Sequence, residues 1–342
     1  TNRNRRSHLT ASKTNVPQLL PLPENGPPRP FWSVMIPAYN PPAGYLRETL
    51  ESVLRQDPGP NRMQIEVVDD QSTKADVTAL VHSIAGDRVA VSKTPINLGL
   101  AGCWNTCIQR ASGDWVHLLH QDDWVLPGFY RRFEALVSAN PALDAACCRQ
   151  LDADGDGHWT YLSPLMKREP GPLDNFSGSL ARHPTLQCPA VIVRRQTYQR
   201  LGLFRADLPY VLDWEMWSRI AANGTWGYEP TPGAVYRMHS GSETQRLKRS
   251  GVALRNLLEG GMVARSHFSP ALQAETRTGF LGTIAGETLK LAVAQFVSGD
   301  NRGAALTLDS FRREVFAGGR SLDWIRLRLR IAAKSFRGAF SR

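Results

Sequence analysis

Between residues 31 and 140 the chain alternates short β-branched runs with segments at helical spacing, and no other feature limits its fold as much. The runs are Trp32–Pro37, Ile65–Asp69, Arg88–Ser92 and Trp115–Leu119, and the helical segments are Gly44–Gln56, Ala75–Ala85, Gly102–Ala111 and Gly128–Ser138. Strands this apolar have no wet face, and the spacing between them leaves room for the crossover that parallel neighbours require. The pattern therefore predicts an α/β fold, an open and mostly parallel sheet flanked by helices. Ligands of such sheets bind at the carboxyl ends of the strands, so the residues just after each run are where chemistry is expected.

The rest of the chain divides around this unit. Residues 1–30 are basic and then Pro-rich (Pro17, Pro21, Pro23, Pro27, Pro28, Pro30) with little to bury, which reads as a flexible leader. Order is expected from Phe31, in a domain over 31–240 that divides into a regular part, 31–140, and a less regular part, 141–240. In the second part short apolar runs (Ala145–Cys148, Ala190–Val193, Ala234–Tyr236) lie between Pro/Gly-rich loops, with an amphipathic helix near Val211–Asn223. Residues 241–342 are helical by pattern (Ser242–Arg265, Pro270–Val297, Ala304–Phe316, Leu322–Phe336) and read as a separate C-terminal helical appendage. The most apolar candidate span, Gly279 to Val297, is interrupted by Glu287 and Lys290, so no membrane-crossing helix is expected.

A net charge of +10 raises the question of nucleic acid, and its distribution answers it. Residues 1–30 carry five Lys/Arg against one Glu, and 302–342 carry ten against three acids, whereas 31–301 has 26 against 27. A neutral middle with basic ends is no nucleic-acid groove. The five cysteines (Cys103, Cys107, Cys147, Cys148, Cys188) include no CxxC pair and are odd in number, which reads as buried thiols in a reducing, cytoplasmic setting.

Four segments bring polar groups to the expected edge. The run Ser33 to Asn40 stops at Pro37 and delivers Tyr39 and Asn40; Ile65 to Thr73 ends in Asp69 and Asp70 followed by Ser72; Asn97 to Asn105 is a loop with Gly99 entering a helix; Trp115 to Trp124 ends in His120, Gln121, Asp122 and Asp123. Adjacent carboxylates such as Asp122 and Asp123 repel unless something positive lies between them, and a divalent cation carrying a phosphate would serve. Solvated turn acids are the plainer alternative.

In kind and order these segments resemble the nucleotide-binding half of the family 2 glycosyltransferases, which have the GT-A fold. The resemblance covers about Ser33 to Phe133 and continues more weakly to His239. It implies that Pro37, Tyr39, Asn40, Asp70, Asn97, Gly99 and Asp122 contact a nucleotide-sugar, and that Asp123, Asp122 and His239 surround a Mg2+ or Mn2+ ion. The family's metal motif usually places two acids one residue apart; here His120 occupies the first acid's place. The segment Tyr210 to Trp217 resembles the one in which the family carries its catalytic base, matching Asp213 with Glu215 as rival. Asp213 and Trp217 are four apart and share a helix face, which could desolvate the acid, although an acid stabilising a helix N-terminus is the ordinary case. Tyr236 to Ser242 looks like the family's closing loop, with Arg237 and His239 near the diphosphate.

Two further segments need separate readings. Asp152-Ala-Asp-Gly-Asp-Gly157 fits the first half of a calcium loop, but the twelfth place is Ser163 and no helix pattern flanks it, so a polar hairpin turn is expected. Trp324 to Arg337, wound as a helix, gathers Arg326, Arg330, Lys334 and Arg337 on one side, which suits peripheral contact with an anionic membrane at the inner face of the plasma membrane. Together the residues and the resemblance point to an inverting, metal-dependent transferase moving a sugar from a nucleotide-diphosphate donor to a glycan or lipid-linked acceptor. The alternative, motivated by His120, is a non-catalytic binder of the same fold.

Overall fold

A computed structural model describes residues 16–23, 26, 28–249, 252–297 and 299–315. The basic segment Trp324–Arg337 and the start of the leader lie outside the described residues. In chain order the elements are β1 (Trp32–Ala38), α1 (Ala43–Leu54), β2 (Met63–Asp69), α2 (Val77–Ala85), β3 (Ala90–Lys93), α3 (Gly99–Arg110), β4 (Trp115–Leu118), β5 (Trp124–Val125) and α4 (Phe129–Ala139). Residues 141–240 add β6 (Ala145–Ala153), β7 (Trp159–Leu162), β8 (Gly171–Pro172), α5 (Phe176–Leu180), β9 (Val191–Arg194), α6 (Arg195–Leu201), α7 (Leu212–Asn223) and β10 (Trp226–Arg237). Four helices follow: α8 (Glu243–Arg249), α9 (Val252–Ser266), α10 (Pro270–Val297) and α11 (Asn301–Val315).

All strands join one sheet in the order β3-β2-β1-β4-β9-β6-β10-β5, with β7 on β6 and β8 on β10. The block β3-β2-β1-β4 is parallel, as the alternating pattern predicts. Beyond it the sheet is mixed: β9 runs antiparallel to both β4 and β6, while β10 runs parallel to β6. The chain winds from β1 out to β3 and then returns to place β4 on the other side of β1. This reversal makes the carboxyl ends of β1 and β4 the sheet's switch point, the place where ligands of open α/β sheets bind. All seven residues of β1 are buried, so it contributes to both faces: Val34 and Ile36 to one core with Leu46 and Phe133, Met35 to the other with Trp104 and Trp214.

The structure corrects several expectations. β10 is twelve residues long where only Ala234–Tyr236 is legible, because Pro230 and Pro232 hide it. Proline lacks the ladder N–H, and the register with β6 shifts on either side of Pro232, which lets the strand continue past it. Leu19 is buried in the core, the Leu203 amide donates to Pro17 O at 2.8 Å, and Arg195 reaches Leu20 O, so part of the leader is packed and not free. Gly202, at φ 83°, permits that approach, since a Cβ there would lie 2.4 Å from Val16 Cγ1.

The C-terminal helical region packs on the sheet domain. Leu257, Ala264, Phe268, Phe280 and Ile284 belong to the same core as Trp214 and Trp217, and His267 bonds Glu215 of α7. Contrary to expectation, α10 is long and apolar enough to pass as a membrane span on length and composition. It buries a stripe at four-residue spacing (Thr276, Phe280, Ile284, Thr288, Ala292), while Glu275, Arg277 and Lys290 are exposed.

Candidate active site

Loops after β1, β2 and β3 meet on one side of the switch point. Asn40 adopts a left-handed φ of 47°, and its Oδ1 accepts the Thr73 and Lys74 amides at 2.8 Å each while its own amide donates to Ser72 Oγ. Its side chain therefore holds the loop after β2. The Tyr39 backbone is clasped by the Gln121 amide, which accepts from Tyr39 N at 2.8 Å and donates to Tyr39 O at 3.3 Å, leaving the ring exposed. Pro37 is buried inside β1 beside Val68. Asp70 is buried, and its Oδ1 accepts from the Leu98 amide at 2.8 Å and Thr94 Oγ1 at 3.0 Å; Asn97 Nδ2 donates to Asp70 O. Gly99, at φ 68° with open space beside its Cα, starts α3. One carboxylate thus ties the loop after β2 to the glycine loop.

On the other side, after β4, the ligand atoms of His120, Asp122 and Asp123 all lie within 4.8 Å of one another. Asp123 is fully buried, and its Oδ1 accepts the Arg237 amide at 2.8 Å. Its Oδ2 lies 3.3 Å from His120 Nδ1 but out of line, so that buried oxygen takes no hydrogen bond, and the buried His120 Nε2 likewise has no partner. Burial lifts Asp123 to about 6, with His120 opposing and Asp122 adding to the rise. For His120, burial opposes the charge, but Cys188 and Asp123 outweigh it and hold the imidazole above its usual range. The ring stacks on Trp104 of α3 with centroids 4.7 Å apart. An orphaned buried carboxylate oxygen beside a second carboxylate is what a cation site needs, so Asp123 and Asp122 fit a divalent ion.

His239, expected as a metal ligand, bonds Asp122 Oδ2 through Nε2 at 2.8 Å and lies edge-on to Tyr45. Arg237, expected near the diphosphate, is buried with its guanidinium bound to Glu48, to Asp122 O at 3.0 Å and to Gly155 O at 3.1 Å, between the Tyr45 and Trp124 rings. Both position the acids from behind.

Asp213 sits in the first turn of α7 and accepts the Trp214 amide at 2.7 Å. Burial raises its carboxyl to about 6, while the positive charge of His120 favours its ionised form. The structure therefore brings Asp213 within electrostatic range of the acidic cluster. The rival Glu215 is fully buried and bound by Arg219 and by His267 at 2.7 Å, a closed structural network. The residues after Asp152 form the expected hairpin turn between β6 and β7, with Asp154 Oδ1 accepting the Asp156 and His158 amides. All five cysteines are free and buried. Sequence reasoning missed Thr94, Trp104 and Cys188; only Gln121, inside the acidic motif, carried a signal.

Known proteins identify the class to which this fold and site belong. The Glycosyl transferase family 2 model matches residues 33–201, and the chain belongs to that family and is a glycosyltransferase. An N-acetylglucosaminyltransferase of Mesorhizobium japonicum is 35% identical over 158 residues, 46% of this chain and 36% of that protein, so the match spans about a third of it. In fold the chain is similar to TarS 1–349 of S. aureus, solved with UDP-GlcNAc (TM-score 0.52, 14% identity, 82% of this chain and 91% of that one). It is also similar to the mannosyltransferase PcManGT of Pyrobaculum calidifontis, solved with GDP-Man and Mn2+ (TM-score 0.51, 19% identity, 92% and 88%).

Proposed function

We propose that this glycosyltransferase acts with inversion, moving a sugar from a nucleotide-diphosphate donor to a hydroxyl of a glycan or lipid-linked acceptor in cell-surface polysaccharide synthesis. The observation that carries the reading is the Asp213 carboxylate, lifted to about 6 beside the His120–Asp122–Asp123 cluster. A base with that affinity is ionised at neutral pH yet takes up a proton readily, and would accept the acceptor hydroxyl's proton as the oxygen attacks the anomeric carbon. A single displacement inverts that centre.

Asp123 and Asp122 would hold Mg2+ or Mn2+, whose charge would stabilise the departing diphosphate. His239 and Arg237 would keep those carboxylates aimed, as partners behind metal ligands do. On the opposite wall, Asp70, Tyr39 and the Asn97–Gly99 loop would take the nucleoside, with Asn40 shaping the loop beside them. The five free, buried thiols suit a cytoplasmic location, with action at the inner face of the plasma membrane where lipid-linked acceptors are presented.

The test is transfer from UDP- and GDP-sugars, with and without Mn2+, with the product's anomeric configuration read by NMR. Metal-dependent, inverting transfer that is lost in Asp213→Asn is the expected result. Retention of configuration, or undiminished transfer in Asp213→Asn, overturns the proposal.

A further inference from the structure

We propose that the cross-strand row Tyr236, Asp152 and Tyr161 is the seat of a neutral saccharide acceptor, leading it to Asp213. This rests on the transferase reading above and names the acceptor class for that same site. The row follows from register: Tyr236 of β10 pairs Asp152 of β6, and Asp152 pairs Tyr161 of β7. Paired residues on neighbouring strands share a face. The register between β6 and β7 shifts so that Ala153 faces Trp159 and Asp152 faces Tyr161, leaving Thr160 as the extra residue. The shift sends Trp159 to the opposite face and keeps Tyr161 in the row.

That opposite face is closed near the row by Leu151, Ala153 and Val235, packed with Trp124 and Leu126. The row's own face leads to the chemistry, because Tyr236 interacts electrostatically with Asp123, Asp122 and Asp213. Its hydroxyl is fixed by Thr244 Oγ1 at 3.2 Å. Asp152 is half-buried, and among the described residues its carboxylate has no cationic partner. Its Oδ1 receives only Gln150 Nε2 at 3.3 Å, and that amide is oriented by the Gln187 N–H on its oxygen. Tyr161 is 50% exposed on an edge strand with all four residues exposed. The hairpin is tied to the acidic cluster, since Tyr45 Oη and Arg237 both donate to Gly155 O.

An uncompensated, half-buried carboxylate between aromatic rings suits sugar. The carboxylate accepts from ring hydroxyls, and the phenol face packs against the C–H side of the pyranose. An apolar partner would leave Asp152 unpaired, and an anionic one would be repelled.

The test uses the full chain and saturation-transfer NMR with the methyl glycosides of glucose, galactose, mannose and N-acetylglucosamine, alongside calorimetry with UDP and GDP plus Mn2+. At least one neutral glycoside should bind, and Asp152→Asn and Tyr161→Ala should each weaken it about tenfold with nucleotide affinity unchanged. Methyl glucuronide, the same ring bearing a charge, should bind less well than the glucoside, and Asp152→Asn should narrow that gap. The proposal fails if no neutral glycoside binds, if only the cationic methyl glucosaminide does, or if both variants bind like the wild type. Failure of UDP and GDP to bind a protein that still takes the glycoside through Asp152 would overturn the transferase reading, and with it the acceptor role, and leave only a saccharide-binding site.

Discussion

Asp213→Asn should make the protein more stable while disabling it. The carboxyl's rise from 3.8 to about 6 means that the native state binds its proton more tightly than the unfolded chain does. Between those values the native state holds the excess protons, so stability falls as pH rises through the window, and the full cost is present above about 6. Two pH units correspond to about 3 kcal/mol as an upper bound. Asparagine keeps an oxygen for the Trp214 amide and carries no charge, so it escapes that cost; losing the attraction of His120 reduces the gain. The variant should therefore exceed the wild type by about 1–3 kcal/mol at pH 7.5 and by at most about 1 kcal/mol at pH 4.5, with parity only below the unfolded value. Urea unfolding of both proteins at both pH values measures this, and transfer should fall by about 10²–10⁴-fold. A stability difference that is the same at both pH values would sink the argument, because Asp213 would then not be a desolvated base.

Asp123→Ala should abolish Mn2+-dependent nucleotide binding in calorimetry while leaving the protein folded, since it removes the orphaned oxygen; unchanged binding would move the metal elsewhere. Arg237→Met should lower stability by about 2–3 kcal/mol in denaturant titration, because two enclosed carbonyls lose a charged donor. Leu19→Ala should cost about 2–3 kcal/mol, and no loss would mean that residues 17–20 are not packed in solution.

How much of this was legible depended on the kind of information each residue carries. The parallel block was readable because β1, β2 and β4 are buried on both faces and the helices lie between the strands in sequence. The edge residues of β1, β2 and β4 could be named for the same reason: a strand's end is a local event. β10 was mostly hidden, because its prolines speak against a strand and only the shifted register with β6 accommodates them. Long-range roles were hidden too. Nothing local says that Arg237 reaches Glu48, that His239 turns to Asp122, or that Asn40 serves a backbone loop. Glu215 and Asp213 are two apart on one helix, and only the positions of Arg219 and His267 decide which is the free acid.

His120 links the two halves of the proposed chemistry. An acid in its place would add negative charge beside Asp122 and Asp123 and, by repulsion, would push Asp213 still higher, delaying its ionisation to more alkaline pH. The imidazolium does the reverse: it favours the Asp213 carboxylate and partly offsets the burial of Asp123. Its ring also rests on Trp104, on the helix that begins at the glycine loop. Residue 120 therefore stands where the proposed nucleoside loop, cation site and base meet, and its exchange for an acid changes all three at once. His120→Asp should shift the acidic limb of the transfer rate upward in pH, whereas a histidine that merely marked a decayed site would leave no transfer whose limb could move.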